Sequence, residues 1–294
     1  MLIKYAVTRF YTHFLSLSRI YELREAVVET LTDPLFENWV KKQNRDQRGD
    51  YTALQNETQN LFFWNQVKQI ISFWKPVVVF LQMVDSEAQY ISRIVPTIAT
   101  VRSEIGTSFP TFLSETERNE ILKAYDTRIS MLLTPIQYVA FLLDPKHFEA
   151  VMGLGQSEQM LRIMASFYSL CSKLLEKGDA HICESELTAY LTNGVVLPND
   201  MTSFAQEIAE ATEFIRTLAD TISPGEWWEK HGSGYPRLQK IAIITLSQIS
   251  STSFAERNFS TESMVQTKLR NRMKTSTLSA LTHIAFNERL LQCT

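Results

Sequence analysis

The chain has 294 residues, of which 45% are hydrophobic and 21% are charged, a balance that excludes global disorder. It is long enough for one large domain or two smaller ones. A net charge of −3 at pH 7 excludes bulk attraction to nucleic acid, so any such contact must come from a local basic patch. Nine glycines and nine prolines are few for this length, which favours helices joined by short loops.

The compartment is predicted from the cysteines and the apolar runs. The three cysteines are unclustered and odd in number, so we expect no disulfide framework and a reducing environment. Residues 1–14 lack the apolar core of a secretory signal. The most apolar run, Val77–Val84, is too short to cross a bilayer and contains Gln82. We therefore expect a soluble intracellular protein with no membrane partner.

Helical spacing of apolar residues dominates the first half. It predicts a helix over Ile20–Thr32, which Pro34 ends because the residue before a proline avoids the helical conformation. The segment Gln43–Tyr51 is polar and charged, and we expect a loop there. A long helix is predicted from Thr58 to about Val84, and Pro76 should kink or split it.

The second half alternates helices with breaks. Gln137–Leu143 is apolar and short, and periodicity alone leaves a helix and a buried strand equally open. Gln159–Leu175 is a strongly amphipathic helix. Pro224-Gly225 is expected to start a loop that contains Trp227 and Trp228, and a further helix is predicted from about Pro236 to Leu246.

Common enzyme signatures are absent from the sequence. It contains no phosphate-binding loop, no dinucleotide-binding glycine pattern, no HExxH and no GxSxG. The one close His/Cys pair, His181 and Cys183, is too few ligands for a tetrahedral zinc site. No metal-ligating residues are assigned.

The most distinctive motifs lie in the last eighty residues. In chain order they are Trp227-Trp228, Tyr235-Pro236-x-Leu238, Ile241-Ala242-x3-Leu246-Ser247, Ser253-x2-Glu256-Arg257-x-Phe259-Ser260, the basic stretch Lys268-x-Arg270-Asn271-Arg272-Met273, and Phe286-Asn287. Together they resemble the C-terminal dimerisation region of hAT-family transposases. Two earlier features agree with that resemblance: Phe141-Leu142-Leu143-Asp144-Pro145-Lys146-x-Phe148 and Thr8-Arg9-Phe10.

The resemblance implies a fold and a division of the chain. The fold is expected to be mainly α, a multi-helix bundle that is the C-terminal remnant of a split ribonuclease H-like transposase. Residues 1–135 would be a helical insertion-type region, and residues 136–294 a C-terminal dimerisation-type region.

The implied function is protein association, with a second copy of the chain or with a related transposase. The residues that the resemblance places in or behind the interface are Trp227, Trp228, Leu238, Ile241, Ala242, Leu246 and Phe259. In most proteins the apolar part of this set is ordinary core, and that alternative stays open. A plain helical scaffold without self-association is the other alternative.

Catalysis is not expected of this chain alone. The family's active site resembles that of ribonuclease H, in which two aspartates and a glutamate hold divalent Mg or Mn. Glu256 matches the glutamate, but only seven residues precede Thr8 and none of them is acidic. We therefore expect no cofactor here. The alternative is a fragment of an active DDE-type DNA transposase in which Glu256 is the third metal-binding acid. A simpler interpretation of Glu256 is a helix-capping role with Ser253.

A short basic stretch is the candidate for DNA contact. Its cations are Lys268, Arg270, Arg272 and Lys274. Such a stretch is either a solvated helix face or a phosphate-binding surface, and the second would show steep salt dependence. The resemblance implies a nuclear location.

Overall fold

The computed structural model describes residues 11–85, 90–193, 221–250, 265 and 273–292. All regular elements in these ranges are helices, which confirms the expected mainly α class. The α-helices are α1 (Tyr11–Glu22), α2 (Arg24–Thr32), α3 (Pro34–Val40), α4 (Arg45–Gln59), α5 (Leu61–Val84), α6 (Ile94–Thr107), α7 (Glu115–Leu132), α8 (Pro135–Leu143), α9 (Phe148–Gly153), α10 (Glu158–Leu174), α11 (Lys177–Asn193), α12 (Pro224–His231), α13 (Pro236–Leu246) and α14 (Thr275–Gln292). Short 3₁₀ segments occupy Ile91–Arg93 and Pro145–His147.

These helices form two compact units. The first contains the described residues up to Leu81 together with Thr97–Leu132. The second contains Gln82–Pro96 together with the described residues from Leu133 onward. The assignment of residues 1–135 and 136–294 to insertion-type and dimerisation-type regions stays a prediction.

In the first unit, the expected loop at 43–51 was wrong, because α4 begins at Arg45. The Asn44 side chain accepts a hydrogen bond from the Gln47 N–H at 2.9 Å, which caps the helix. The Tyr51 ring packs edge-on against Phe36 and Trp39, with centroids 5.8 and 5.2 Å away. An N-cap and an aromatic anchor therefore hold a polar segment in a helix.

Pro76 was predicted to kink or split the helix α5; the helix runs without interruption through Pro76, so a split is wrong, and the kink stays a prediction. Its length and composition would suffice to cross a membrane, and among the described residues it is the one helix that meets this test. Five of its side chains are buried, whereas Lys68 and Lys75 are exposed to solvent. The buried residues are Trp64, Val67, Phe73, Val78 and Phe80.

Helix α8 is the centre of the second unit. Its short apolar sequence left a helix and a strand open, and the structure shows a helix. The Gln137 side chain accepts hydrogen bonds from the Thr134 N–H and hydroxyl, which fixes the start of the helix. Five consecutive residues, Val139–Leu143, are buried on all sides. The segment Ile91–Arg93 and the helices α10 and α13 pack around α8.

Trp228 joins α8 to the C-terminal helices. The expected loop around the tryptophan pair was wrong, because the Ser223 hydroxyl accepts from the Glu226 N–H and Pro224 starts the helix α12. The Trp228 indole N–H donates to the Leu143 carbonyl at 2.6 Å. This bond satisfies a carbonyl that the end of α8 leaves without a partner within the helix.

Replacing Trp228 with Phe tests this bond. We expect Trp228→Phe to lower the free energy of unfolding by about 1–3 kcal/mol, because the buried Leu143 carbonyl loses its donor. Urea unfolding followed by far-UV circular dichroism measures the change. The matched control is Trp39→Phe, at a side chain that is 45% exposed in the first unit. Equal losses in the two variants would contradict the assigned role of the indole bond.

Candidate self-association site

The predicted interface residues that the structure describes lie inside the second unit. They are 0 or 1% exposed: Trp227, Trp228, Leu238, Ile241, Ala242 and Leu246. Side chains this deeply buried do not touch a partner while the unit is intact. They set the shape of the unit, and their supporting role in an interface stays a prediction. Phe259 lies outside the described residues.

A carboxylate from α11 holds the start of α13. Glu186 Oε2 accepts hydrogen bonds from the backbone N–H groups of Arg237 and Leu238, both at 2.8 Å. These N–H groups belong to the first turn of α13, where a helix has free donors and partial positive charge. The Arg237 guanidinium in turn lies 3.7 Å from Glu186 and 3.1 Å from Asp179. Glu186 therefore caps the first turn of α13, and the nearby Arg237 guanidinium balances its negative charge.

Aromatic rings connect the same helices on the inside. The Tyr190 ring lies 5.0 Å from Trp228, 5.6 Å from Phe148 and 6.0 Å from Tyr235 between centroids. Burial raises the pKa of Tyr235 to about 12, so its hydroxyl is neutral at physiological pH. These contacts extend the core from α9 through α11 and α12 to the start of α13.

Gly232 permits the tight approach between α12 and α13. A Cβ at this position would lie 2.6 Å from both the Trp228 ring and its carbonyl oxygen, and 3.0 Å from the Gln239 side chain. The Gln239 amide donates to the Trp228 carbonyl at 2.8 Å across this gap. Glycine is therefore required here by space.

The Leu-Asp-Pro step forms a buried polar corner at the end of α8. Asp144 accepts from the Ser92 hydroxyl at 2.6 Å and from the Lys146 N–H at 3.0 Å. His147 Nε2 lies 3.9 Å from Asp144 Oδ2 and lacks a hydrogen-bond partner. Burial lowers the pKa of His147, and the nearby Asp144 charge opposes that effect. The corner ties the 91–93 segment to α8, so its role is structural.

Accessible apolar side chains do occur near the end of the chain. Leu281 and Ile284 are 38 and 60% exposed, and they lie three residues apart on one face of α14. Ile249, after α13, is exposed as well. Helix α14 makes few contacts with the other helices that the structure describes. Motif comparison missed these residues, although their i, i+3 spacing in the last helix was visible.

Several predicted site residues fall where the structure gives no description. These are Glu256, Phe259, Lys268, Arg270 and Arg272. Lys274, the last cation of the basic stretch, is described and exposed directly before α14. The catalytic and DNA-binding assignments of this set stay predictions.

The Glu186 cap generates a stability prediction. We expect Glu186→Ala to lower the free energy of unfolding by about 1.5–3 kcal/mol, because two backbone donors lose a charged acceptor. Glu186→Gln should lose less, because the amide oxygen still accepts. Thermal unfolding measures both variants. Glu158→Ala, which breaks an exposed ion pair with Arg162 on α10, is the control and should leave the melting temperature unchanged.

The lowered pKa of His147 makes the stability of the folded chain depend on pH. Its pKa in the folded chain is lower than the ordinary value of 6.5, so the unfolded chain binds the proton first as pH falls. The associated stability is present above pH 6.5 and is lost as pH falls below it, by at most about 1.4 kcal/mol per pH unit. We expect His147→Gln to flatten the change in melting temperature between pH 7 and 5.5. The exposed substitution His181→Gln should leave the change as it is, and an identical slope in His147→Gln would refute the assignment.

The comparisons with known proteins bear on the same helices. Residues 186–287 match the family model described as the hAT family C-terminal dimerisation region. No curated protein matches the chain. The match begins at Glu186, the carboxylate that caps α13, and it includes α12, α13 and most of α14. The predicted resemblance is thereby confirmed for the C-terminal part, whereas the insertion-type region stays a prediction. Over residues 186–287 the chain is similar to the dimerisation region of hAT-family proteins.

Proposed function

We propose that the chain is an association module derived from an hAT transposase, and that it pairs with a second copy or with a related transposase. The match of residues 186–287 to a dimerisation region carries this proposal. The ribonuclease H-like ancestry belongs to the proposal as well. The nucleus, where transposases meet DNA, is the proposed location.

We place the contact surface on α14, outside the buried core. The predicted interface residues between Trp227 and Leu246 pack inside the second unit, so their side chains are not accessible to a partner. Leu281 and Ile284 offer apolar area on a helix that packs sparsely against the rest of the described unit. A two-fold pairing of α14 with its copy would remove both side chains from water in each chain. Burial of such side chains is the usual source of affinity in stable dimers.

DNA contact is a further part of the proposal. Four cations within seven residues, with no acid among them, are supplied by Lys268, Arg270, Arg272 and Lys274. Exposure of Lys274 is compatible with a phosphate contact. Such binding would weaken steeply with salt, because each neutralised phosphate releases counterions.

Enzymatic strand transfer is the alternative function. It assigns Glu256 as the third acid of a DDE-type active site that holds Mg or Mn. Hard divalent cations need several oxygen ligands, and the matched glutamate supplies one carboxylate. Two further aspartates would have to come from additional sequence. Their presence or absence in the gene ahead of residue 1 separates this alternative from an association module.

Light scattering across a concentration range tests the association. We expect a mass of twice 33.8 kDa at high concentration, with dissociation on dilution. Replacing Leu281 and Ile284 together with Asp should weaken association by at least about 100-fold, because each buried apolar side chain contributes about 1.5 kcal/mol or more and the introduced charges oppose burial.

The matched control is Leu161→Asp, at a side chain that is 66% exposed on α10, outside residues 186–287. It should leave the association constant unchanged. Circular dichroism must show the same helix content in all variants. A monomer at every concentration would refute the association, whereas equal weakening by all variants would refute only its placement on α14. Leu246→Asp is unsuitable as an interface variant, because it places a charge in the core.

A further inference from the structure

Two cysteines face each other inside the second unit. Cys171 on α10 and Cys183 on α11 have their Sγ atoms 3.8 Å apart. Both are free thiols, and the side chains are 2 and 0% exposed. Their separation of twelve residues gave no signal in the sequence, because only the packing of the helices brings them together.

The register of the two helices fixes this contact. Only Leu175 and Glu176 separate α10 from α11. Tyr168 lies one turn before Cys171 on α10, and its hydroxyl donates a hydrogen bond at 3.0 Å to Glu184, which lies one residue after Cys183 on α11. From the Tyr168–Glu184 pair to the Cys171–Cys183 pair, the residue number rises on α10 and falls on α11, which is the pattern of two antiparallel helices. The thiol pair is therefore a fixed feature of the hairpin.

We propose that Cys171 and Cys183 form a redox modification site that closes to an intramolecular disulfide when it reacts with a peroxide. Disulfide bonding requires the sulfurs to approach to about 2.05 Å, which side-chain rotation and a small helix shift supply from the present contact. Oxidation of the two thiols does not require that the chain self-associates.

The chemistry balances with one peroxide molecule. The Cys171 thiolate attacks a peroxide oxygen, the O–O bond breaks, and a sulfenic acid and one water form after proton transfer. The Cys183 sulfur then attacks the sulfenic sulfur, loses its proton, and displaces hydroxide as a second water. Two thiols are oxidised by two electrons and the peroxide is reduced.

Cys171 is the sulfur that reacts first. Contact with the Cys183 thiol lowers the pKa of Cys171, whereas the neighbouring sulfur and burial raise the pKa of Cys183. Cys171 also lies in the last turn of α10, three residues before its end at Leu174. Helix ends open locally at little cost in free energy, which gives a small oxidant access to a buried thiol.

Closure of this site would act on the start of the matched region. Glu186, which caps α13, follows Cys183 by three residues on α11. A covalent link between α10 and α11 would hold this turn of α11 in place. The oxidised chain should therefore resist opening of α13 more strongly than the reduced chain.

The test uses the full chain with Cys293→Ser, which leaves the pair as the only thiols. The folded protein is treated with hydrogen peroxide, then unfolded and alkylated, and its intact mass is measured. We expect a loss of two hydrogen atoms and of both alkylation sites together, a peptide that joins Cys171 to Cys183, and reversal by a thiol reductant. The melting temperature of the oxidised chain should rise by roughly 5 °C.

Two controls keep the result decisive. The same chain oxidised in urea should form the link at least tenfold more slowly, because the unfolded chain does not hold the sulfurs together. The double variants with Cys171→Ala or Cys183→Ala added should form no intramolecular link. Independent oxidation of the two sulfurs to sulfinic acid would overturn the proposal, as would disulfides between chains or equal rates in folded and unfolded protein.

Discussion

The bond from the Trp228 indole to the Leu143 carbonyl is the contact on which the second unit depends. It joins residues 85 apart in sequence, and it ends the central helix α8 with a donor from α12. Because Val139–Leu143 is buried on all sides, no water can replace that donor. The remaining helices then pack around α8, so the position of the tryptophan pair decides where α13 and its apolar face lie.

Two carboxylates, the buried Asp144 and the largely shielded Glu186, hold the starts of helical segments in the second unit. Asp144 and Glu186 both accept backbone N–H groups at the start of a helical turn, where positive partial charge is concentrated. Each also has a second partner: the Ser92 hydroxyl donates a hydrogen bond to Asp144, and the Arg237 guanidinium forms an ion pair with Glu186. Residues that motif comparison places at a dimer interface can therefore serve it by fixing a surface, without being part of that surface.

Local patterns in the sequence predicted the parts of this protein that depend on local chemistry. The amphipathic helix α10 and the helix α13 follow from apolar spacing, and the structure confirms both, together with the mainly α class that the resemblance implied. Helix α12 was missed because Pro224 and Gly225 suggested a loop, although proline at the first helical position is equally compatible with a helix start. Burial of Trp228 and the contact between Cys171 and Cys183 depend on distant packing partners, which periodicity does not identify.

The order in which the chain visits its two units constrains how it can be divided and how it can fold. Residues 82–96 belong to the second unit, yet 36 residues of the first unit, Thr97–Leu132, intervene before that unit resumes at Leu133. Ser92 must therefore meet Asp144 across 52 positions of chain. A fragment that starts at Leu133 would expose the side of α8 that Ile91–Arg93 covers. During synthesis, residues 82–96 therefore leave the ribosome before the helices that follow Leu133, and they can pack into the second unit only after those helices have been made.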